Sequence, residues 1–172
     1  ELADRTARLA DLLRAEGVGV GDRVAGLMPN MPEAVIGMLA TASLGATWSS
    51  ASPDFGVQGV VDRFGQIEPK VLITADGYLY GGRRFDIRPK VAEIAARLPT
   101  VGRILVVGHL EAAPDLAGIP AAVGFDEALA DRPGGRPVFT PVPFDQALYI
   151  VFSSGTTGVP KCIVHGVGGT LI

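Results

Sequence analysis

Short segments dominated by apolar residues at 24–28, 70–74, 103–107 and 147–152 constrain this chain more than any other feature. Their length fits buried strands, and their lack of polar alternation fits strands covered on both faces. Helical patterns lie between them. Leu2, Thr6, Leu9, Leu12 and Leu13 recur at helical spacing among Asp4, Arg5, Arg8, Asp11 and Arg14, until Gly17 and Gly19 stop the helix. Pro32 suits the first turn of a helix reaching Leu44. Residues 45–48 read as a further strand, and 56–67 and 89–98 as helices. Strands alternating with helices predict an α/β fold with a mostly parallel sheet flanked by helices, because parallel strands need crossovers.

The rhythm divides the chain into three parts. Residues 1–107 read as the α/β sheet region and 108–146 as a loop-rich connection with one short helix near 126–130. Residues 147–172 read as a strand, a polar loop and a further segment after the loop. Residues 77–84, carrying Gly81-Gly82-Arg83-Arg84, are expected to form a loop. With 48% hydrophobic and 19% charged residues, wholesale disorder is excluded. The net charge of -3 argues against nucleic-acid binding through a general basic field. Cys162 is the single cysteine, which leaves neither a disulfide framework nor a multi-thiolate zinc site. The charge-free stretch 34–53 approaches membrane-span length, but Gly37, Gly45 and Pro53 interrupt it and it ends in polar residues. No membrane span is expected, and no signal-peptide pattern is present, so a cytoplasmic origin is expected.

The chemistry concentrates in Ser153-Ser154-Gly155-Thr156-Thr157-Gly158-Val159-Pro160-Lys161, directly after the last apolar run. Four hydroxyls, two glycines and a lysine fall within nine residues. Glycines bring backbone amides close to an anion, and the hydroxyls and ammonium add donors for phosphate oxygens. Lys161 is one of three lysines beside twelve arginines. Such a run is also ordinary loop composition. It differs from the nucleotide-triphosphatase P-loop, because Pro160 precedes the lysine and Cys162 comes after it.

The nine residues resemble the signature loop of the adenylate-forming enzymes, which include the AMP-forming acyl-CoA synthetases, and they match it throughout. Gly21-Asp22-Arg23-Val24, Met28-Pro29-Asn30 and Leu44-Gly45-Ala46 are similar to the early part of that family's large N-terminal domain. Residues 48–56 (Trp-Ser-Ser-Ala-Ser-Pro-Asp-Phe-Gly), with Asp62-Arg63-Phe64 and Gln66-Ile67, resemble the branch that activates acetoacetate, as do Ile163-Val164-His165-Gly166 and Gly168-Gly169. The resemblance implies a ligase that joins acetoacetate to CoA through an acyl-adenylate, using ATP with Mg2+. Ser153, Ser154, Gly155, Thr156, Thr157, Gly158 and Lys161 would hold the ATP phosphates, Lys161 neutralising charge on the departing pyrophosphate. It also implies that the adenine site, the ribose-binding Asp and a C-terminal catalytic Lys lie beyond Ile172. The chain is therefore expected to be the front part of a longer enzyme, partnered by the remainder of its own polypeptide and inactive alone. Cys162 and Val167 depart from the family's more frequent small residue and His.

The resemblance places Arg83 and Arg84 where acetyl-CoA synthetases carry a loop touching the nucleotide end of CoA; a solvated basic loop is the plainer reading. Trp48 and His165 are candidates for the acyl or nucleotide site, against the plainer readings of packed core and structural histidine. Asp54 and Phe55 share the first possibility. His109 reads as a surface residue, and Cys162 as a small buried residue rather than a nucleophile. Two other functions compete: a synthetase for another short acid, and a non-catalytic α/β nucleotide-binding module.

Overall fold

The computed structural model describes residues 1–153 and 158–172. Helix α1 (Leu2–Ala15) leads into strand β1 (Arg23–Leu27), followed by α2 (Pro32–Ser43) and β2 (Thr47–Ala51). Helix α3 (Val57–Ile67) and β3 (Val71–Ala75) come next, then the strands β4 (Gly77–Tyr80) and β5 (Arg83–Asp86). Helix α4 (Arg88–Arg97), β6 (Arg103–Val107), β7 (Ala122–Gly124) and α5 (Phe125–Ala130) complete the middle of the chain. The last elements are β8 (Ala147–Ser153), β9 (Lys161–Gly166) and α6 (Val167–Leu171).

Seven strands form one sheet in the order β7-β6-β3-β1-β2-β8-β9, parallel except for β9, which runs antiparallel to β8. Period-two alternation sorts its side chains onto two cores. Val24, Trp48, Val71, Ile73, Leu105 and Val107 face α1, α2 and α5, while Ala25, Leu27, Leu72, Ile104, Val106 and Ile150 face α3 and α4. The crossovers step from β1 to β2 in one direction and from β2 back past β1 to β3 in the other. Parallel crossovers share one hand, so α2 and α3 must lie on opposite faces, as the two cores show.

Strand β2 carries polar residues and is nevertheless buried except at Ser50. Ser49 Oγ donates to the Ile150 carbonyl (2.8 Å) and Thr47 Oγ1 to that of Ala147 (3.3 Å). These hydroxyls fasten β8, and with it the polar loop, to the sheet.

The loop expected at 77–84 is instead an antiparallel hairpin, pairing Tyr78 with Phe85 and Tyr80 with Arg83. Gly81 and Gly82 both have positive φ (55° and 75°), the condition for a two-residue turn whose twist matches its strands. The charged tail of the motif hid an otherwise recognisable Gly-Gly turn. Cys162 is also a correction: it is exposed, not buried, because neither apolar core of this chain reaches β9, whose side chains from Lys161 to His165 are exposed.

Candidate functional site

In an open parallel sheet, ligands sit beyond the carboxyl ends of the strands, where the connections diverge to opposite faces. Here the chain leaves β1 toward α2 on one face and leaves β2 toward α3 on the other. A cavity of about 650 Å³ opens at that divergence. Its walls are Met28 to Asn30 after β1, Ser50 to Asp54 at the end of β2, and Tyr78 to Tyr80 of the hairpin. The size falls in the range that holds a drug-sized ligand. The wall after β2 is held from behind by α4: Lys90 Nζ donates to the carbonyls of Pro53 (2.7 Å) and Phe55 (3.0 Å). Burial lowers the Lys90 pKa, partly opposed by the nearby Asp54 carboxylate.

The polar loop leaves the sheet at the same carboxyl edge, from β8 beside β2. Of its candidate residues, Ser154, Gly155, Thr156 and Thr157 lie outside the described residues. Ser153 is half-buried at the end of β8, and Lys161 is exposed at the start of β9, paired opposite it. Gly158 has φ +96°, a conformation that side chains rarely adopt, so the glycine is needed for the turn back into β9.

Helix α3 braces both sides of this loop. Arg63 lies over the Phe55 ring, 4.4 Å from its centre, and 6.0 Å from the centre of Phe152 on the incoming strand. On the outgoing side, Gln66 Nε2 donates to the Pro160 carbonyl (2.9 Å), and Cys162 Sγ lies 3.6 Å from Gln66 Oε1. Gln66 therefore holds the residue on each side of Lys161. Sequence reasoning missed this contact, since nothing in the spacing of α3 tells which of its exposed side chains meets a segment 94 residues away.

The remaining candidates separate. Trp48 is buried in the core, its ring against Gly26 and Gly37, where an added Cβ would come within 2.6 Å and 2.8 Å of it. His165 is exposed and stacks on Tyr149, ring centres 4.9 Å apart. Phe55 is exposed beneath Arg63, and Asp54 lines the cavity. His109 is exposed. By cross-strand pairing Arg83 shares a hairpin face with Tyr78 and Tyr80, and Arg84 that of Leu79; all three β4 residues line the cavity, and neither arginine is part of its wall. Arg84 points to the opposite face, where Nη2 donates to the Leu110 carbonyl at 2.7 Å. Among the described residues no group of three or more His, Cys, Asp or Glu could hold a metal ion, and no helix is long and apolar enough to cross a membrane.

A mostly parallel sheet with helices on both faces and a ligand-sized cavity at its carboxyl edge defines a ligand-binding class of α/β fold. The chain belongs to the AMP-binding enzyme family, whose pattern matches residues 1–172. Within that family it is 53% identical over its whole length to the acetoacetyl-coenzyme A synthetase of Rhizobium meliloti, of which it covers 26%. It is 42% identical over its whole length to the malonamoyl-CoA synthetase of Penicillium aethiopicum, covering 25% of that protein. The structure of acetoacetyl-CoA synthetase from Streptomyces lividans superposes with a TM-score of 0.90 at 45% identity, covering 99% of this chain and 25% of that one. The chain thus spans about a quarter of the length of the relatives it matches.

Proposed function

We propose that this chain is the phosphate-gripping part of a cytoplasmic AMP-forming ligase that converts acetoacetate, ATP and CoA to acetoacetyl-CoA, AMP and pyrophosphate. A carboxylate oxygen of the acid attacks the α-phosphorus of ATP, and the bond to the β-phosphate breaks with release of pyrophosphate. The CoA thiol then attacks the acyl carbon, loses its proton, and AMP leaves with the oxygen that joined it to the acyl group. Mg2+ enters with ATP as its counter-ion and is part of that substrate. Ser153, Ser154, Gly155, Thr156, Thr157, Gly158 and Lys161 take the phosphates. Lys161, held between two residues that Gln66 grips, meets the charge that grows on the departing pyrophosphate. Preorganised donors of this kind are worth about 3–4 kcal/mol each.

The second substrate takes the other half of the carboxyl edge. The nucleotide end of CoA occupies the cavity between the ends of β1 and β2 and the hairpin, with Arg83 as a phosphate partner. Arg84 serves this site as a brace, its guanidinium being committed to Leu110. Trp48 and His165 act by packing, the first in the core and the second on Tyr149.

The observation that carries this reading is the complete signature loop at the carboxyl edge of a fold that is 45% identical to an acetoacetyl-CoA synthetase along its length. The relatives' names also narrow the acid. Acetoacetate and malonamate are both carboxylates with a carbonyl at C3, differing in a methyl against an amino group on that carbon. We therefore expect ATP–pyrophosphate exchange by the intact gene product to require a C3 carbonyl, with acetoacetate and malonamate active and butyrate inactive. Exchange driven by acetate and not by acetoacetate overturns the assignment, and exchange with neither favours a binding module.

A further inference from the structure

Asp76 is 1% exposed and lies between β3 and the hairpin, outside the residues that line the cavity. Its carboxylate accepts three backbone N–H groups from the turn after β6: His109 (2.8 Å) and Leu110 (2.8 Å) at Oδ1, and Glu111 (2.9 Å) at Oδ2. Its own N–H donates to the Val107 carbonyl (3.0 Å), and its carbonyl accepts the Ile87 N–H (3.0 Å). Asp76 and Ile87 are the two feet of the hairpin, so one residue ties both feet to each other and to the neighbouring turn.

The far side of the hairpin rests on that same turn. Gly77 approaches it so closely that a Cβ there would collide with the Leu110 side chain and the Phe85 carbonyl. Arg84 holds the Leu110 carbonyl at 2.7 Å. The turn 109–111 is thus a shelf, and a buried carboxylate gathers its three amides. Charge-assisted bonds to converging backbone donors are among the stronger and more directional contacts a side chain makes. A hairpin of two four-residue strands has little stability of its own, so its seat must come from such contacts.

We propose that Asp76 is a positioning residue: by locking the turn 109–111 beneath the hairpin, it sets where Tyr78 to Tyr80 line the cavity and where the same hairpin carries Arg83. The consequence rests on the assignment of that cavity to CoA. Adenylation, which needs no CoA, does not depend on the seat of the hairpin; thioester formation does.

Asp76→Asn keeps the shape but replaces one acceptor oxygen by an NH2 group facing N–H donors. In the intact gene product it is expected to raise the KM for CoA at least about fivefold, with ATP–pyrophosphate exchange held within about twofold. Leu110→Ala, which trims the shelf from a residue that does not line the cavity, is expected to move the same constant in the same direction. Should Asp76→Asn lose exchange as well, Leu110→Ala decides. An unchanged KM for CoA in Leu110→Ala, or an equal fall of both half-reactions in both variants, overturns the positioning role. Arg83→Ala separates this from the underlying assignment. If Arg83→Ala leaves the KM for CoA unchanged, the CoA reading falls; if it raises that KM while Asp76→Asn and Leu110→Ala do not, only the role of Asp76 falls.

Discussion

Lys161 stands at the first position of β9 with Pro160 and Cys162 both within reach of Gln66. The proposed role at a leaving group needs a long ammonium side chain whose base does not wander, and the Gln66 contacts would hold that base. Lys161→Ala is expected to slow adenylation about 10²- to 10³-fold, the cost of removing one preorganised donor. Thioester formation from preformed acyl-adenylate should change far less, which a single-turnover assay of each half-reaction measures. Packing residues answer to a different assay. Gly26 lies under the Trp48 ring at a distance that leaves no room for a methyl group. Gly26→Ala should therefore destabilise the fold by about 1–3 kcal/mol through overpacking, read as a lower urea midpoint, without altering substrate constants. The difference between these two residues could not be read from composition. Trp48 sits in a run that resembles a functional stretch, yet alternation along β2 turns its ring into the core.

At the scale of elements, most of the sheet was legible because β1, β3 and β6 are buried on both faces and so carry apolar runs; β8 carries such a run although only its Ile150 is buried. Strand β6 appears at Arg103–Val107 as expected, and the other core strands shift by a residue or two, or in β2 by a few. What escaped are the elements without that signature. Strand β7 has three half-buried residues, β9 is exposed from Lys161 to His165, and the second strand of the hairpin opens with Arg83-Arg84. The cavity escaped for the same reason, being assembled from three connections rather than from one motif. The hairpin's junction with α4 also fixes an acid limit. Asp86 accepts from the Arg88 guanidinium (2.7 Å) and from its backbone N–H (2.9 Å), and this pairing lowers the carboxyl pKa. A carboxylate with a lowered folded-state pKa contributes stability at neutral pH and loses it as pH falls through the folded value. The stability gap between the parent and Asp86→Asn is thus expected at pH 7 and to close below about pH 4, followed by chemical unfolding at each pH.

For the whole molecule, the topology accounts for the division of labour. The crossovers that leave β1 and β2 run in opposite directions, a cavity opens between those strand ends, and β8, one strand farther on, ends at the same edge at Ser153, where the proposed phosphate-binding run begins. A net charge of -3 leaves no general basic field, so the proposed polyanionic substrates would have to be met by local groups. The central claim is that this edge serves an acyl-adenylate mechanism, and isotope transfer tests it most directly. The intact gene product is supplied with acetoacetate carrying oxygen-18 in its carboxylate, together with ATP and CoA, and the products are weighed by mass spectrometry. Attack on the α-phosphorus predicts one labelled oxygen in each AMP and none in pyrophosphate. Label in inorganic phosphate, with ADP as the nucleotide product, would contradict it.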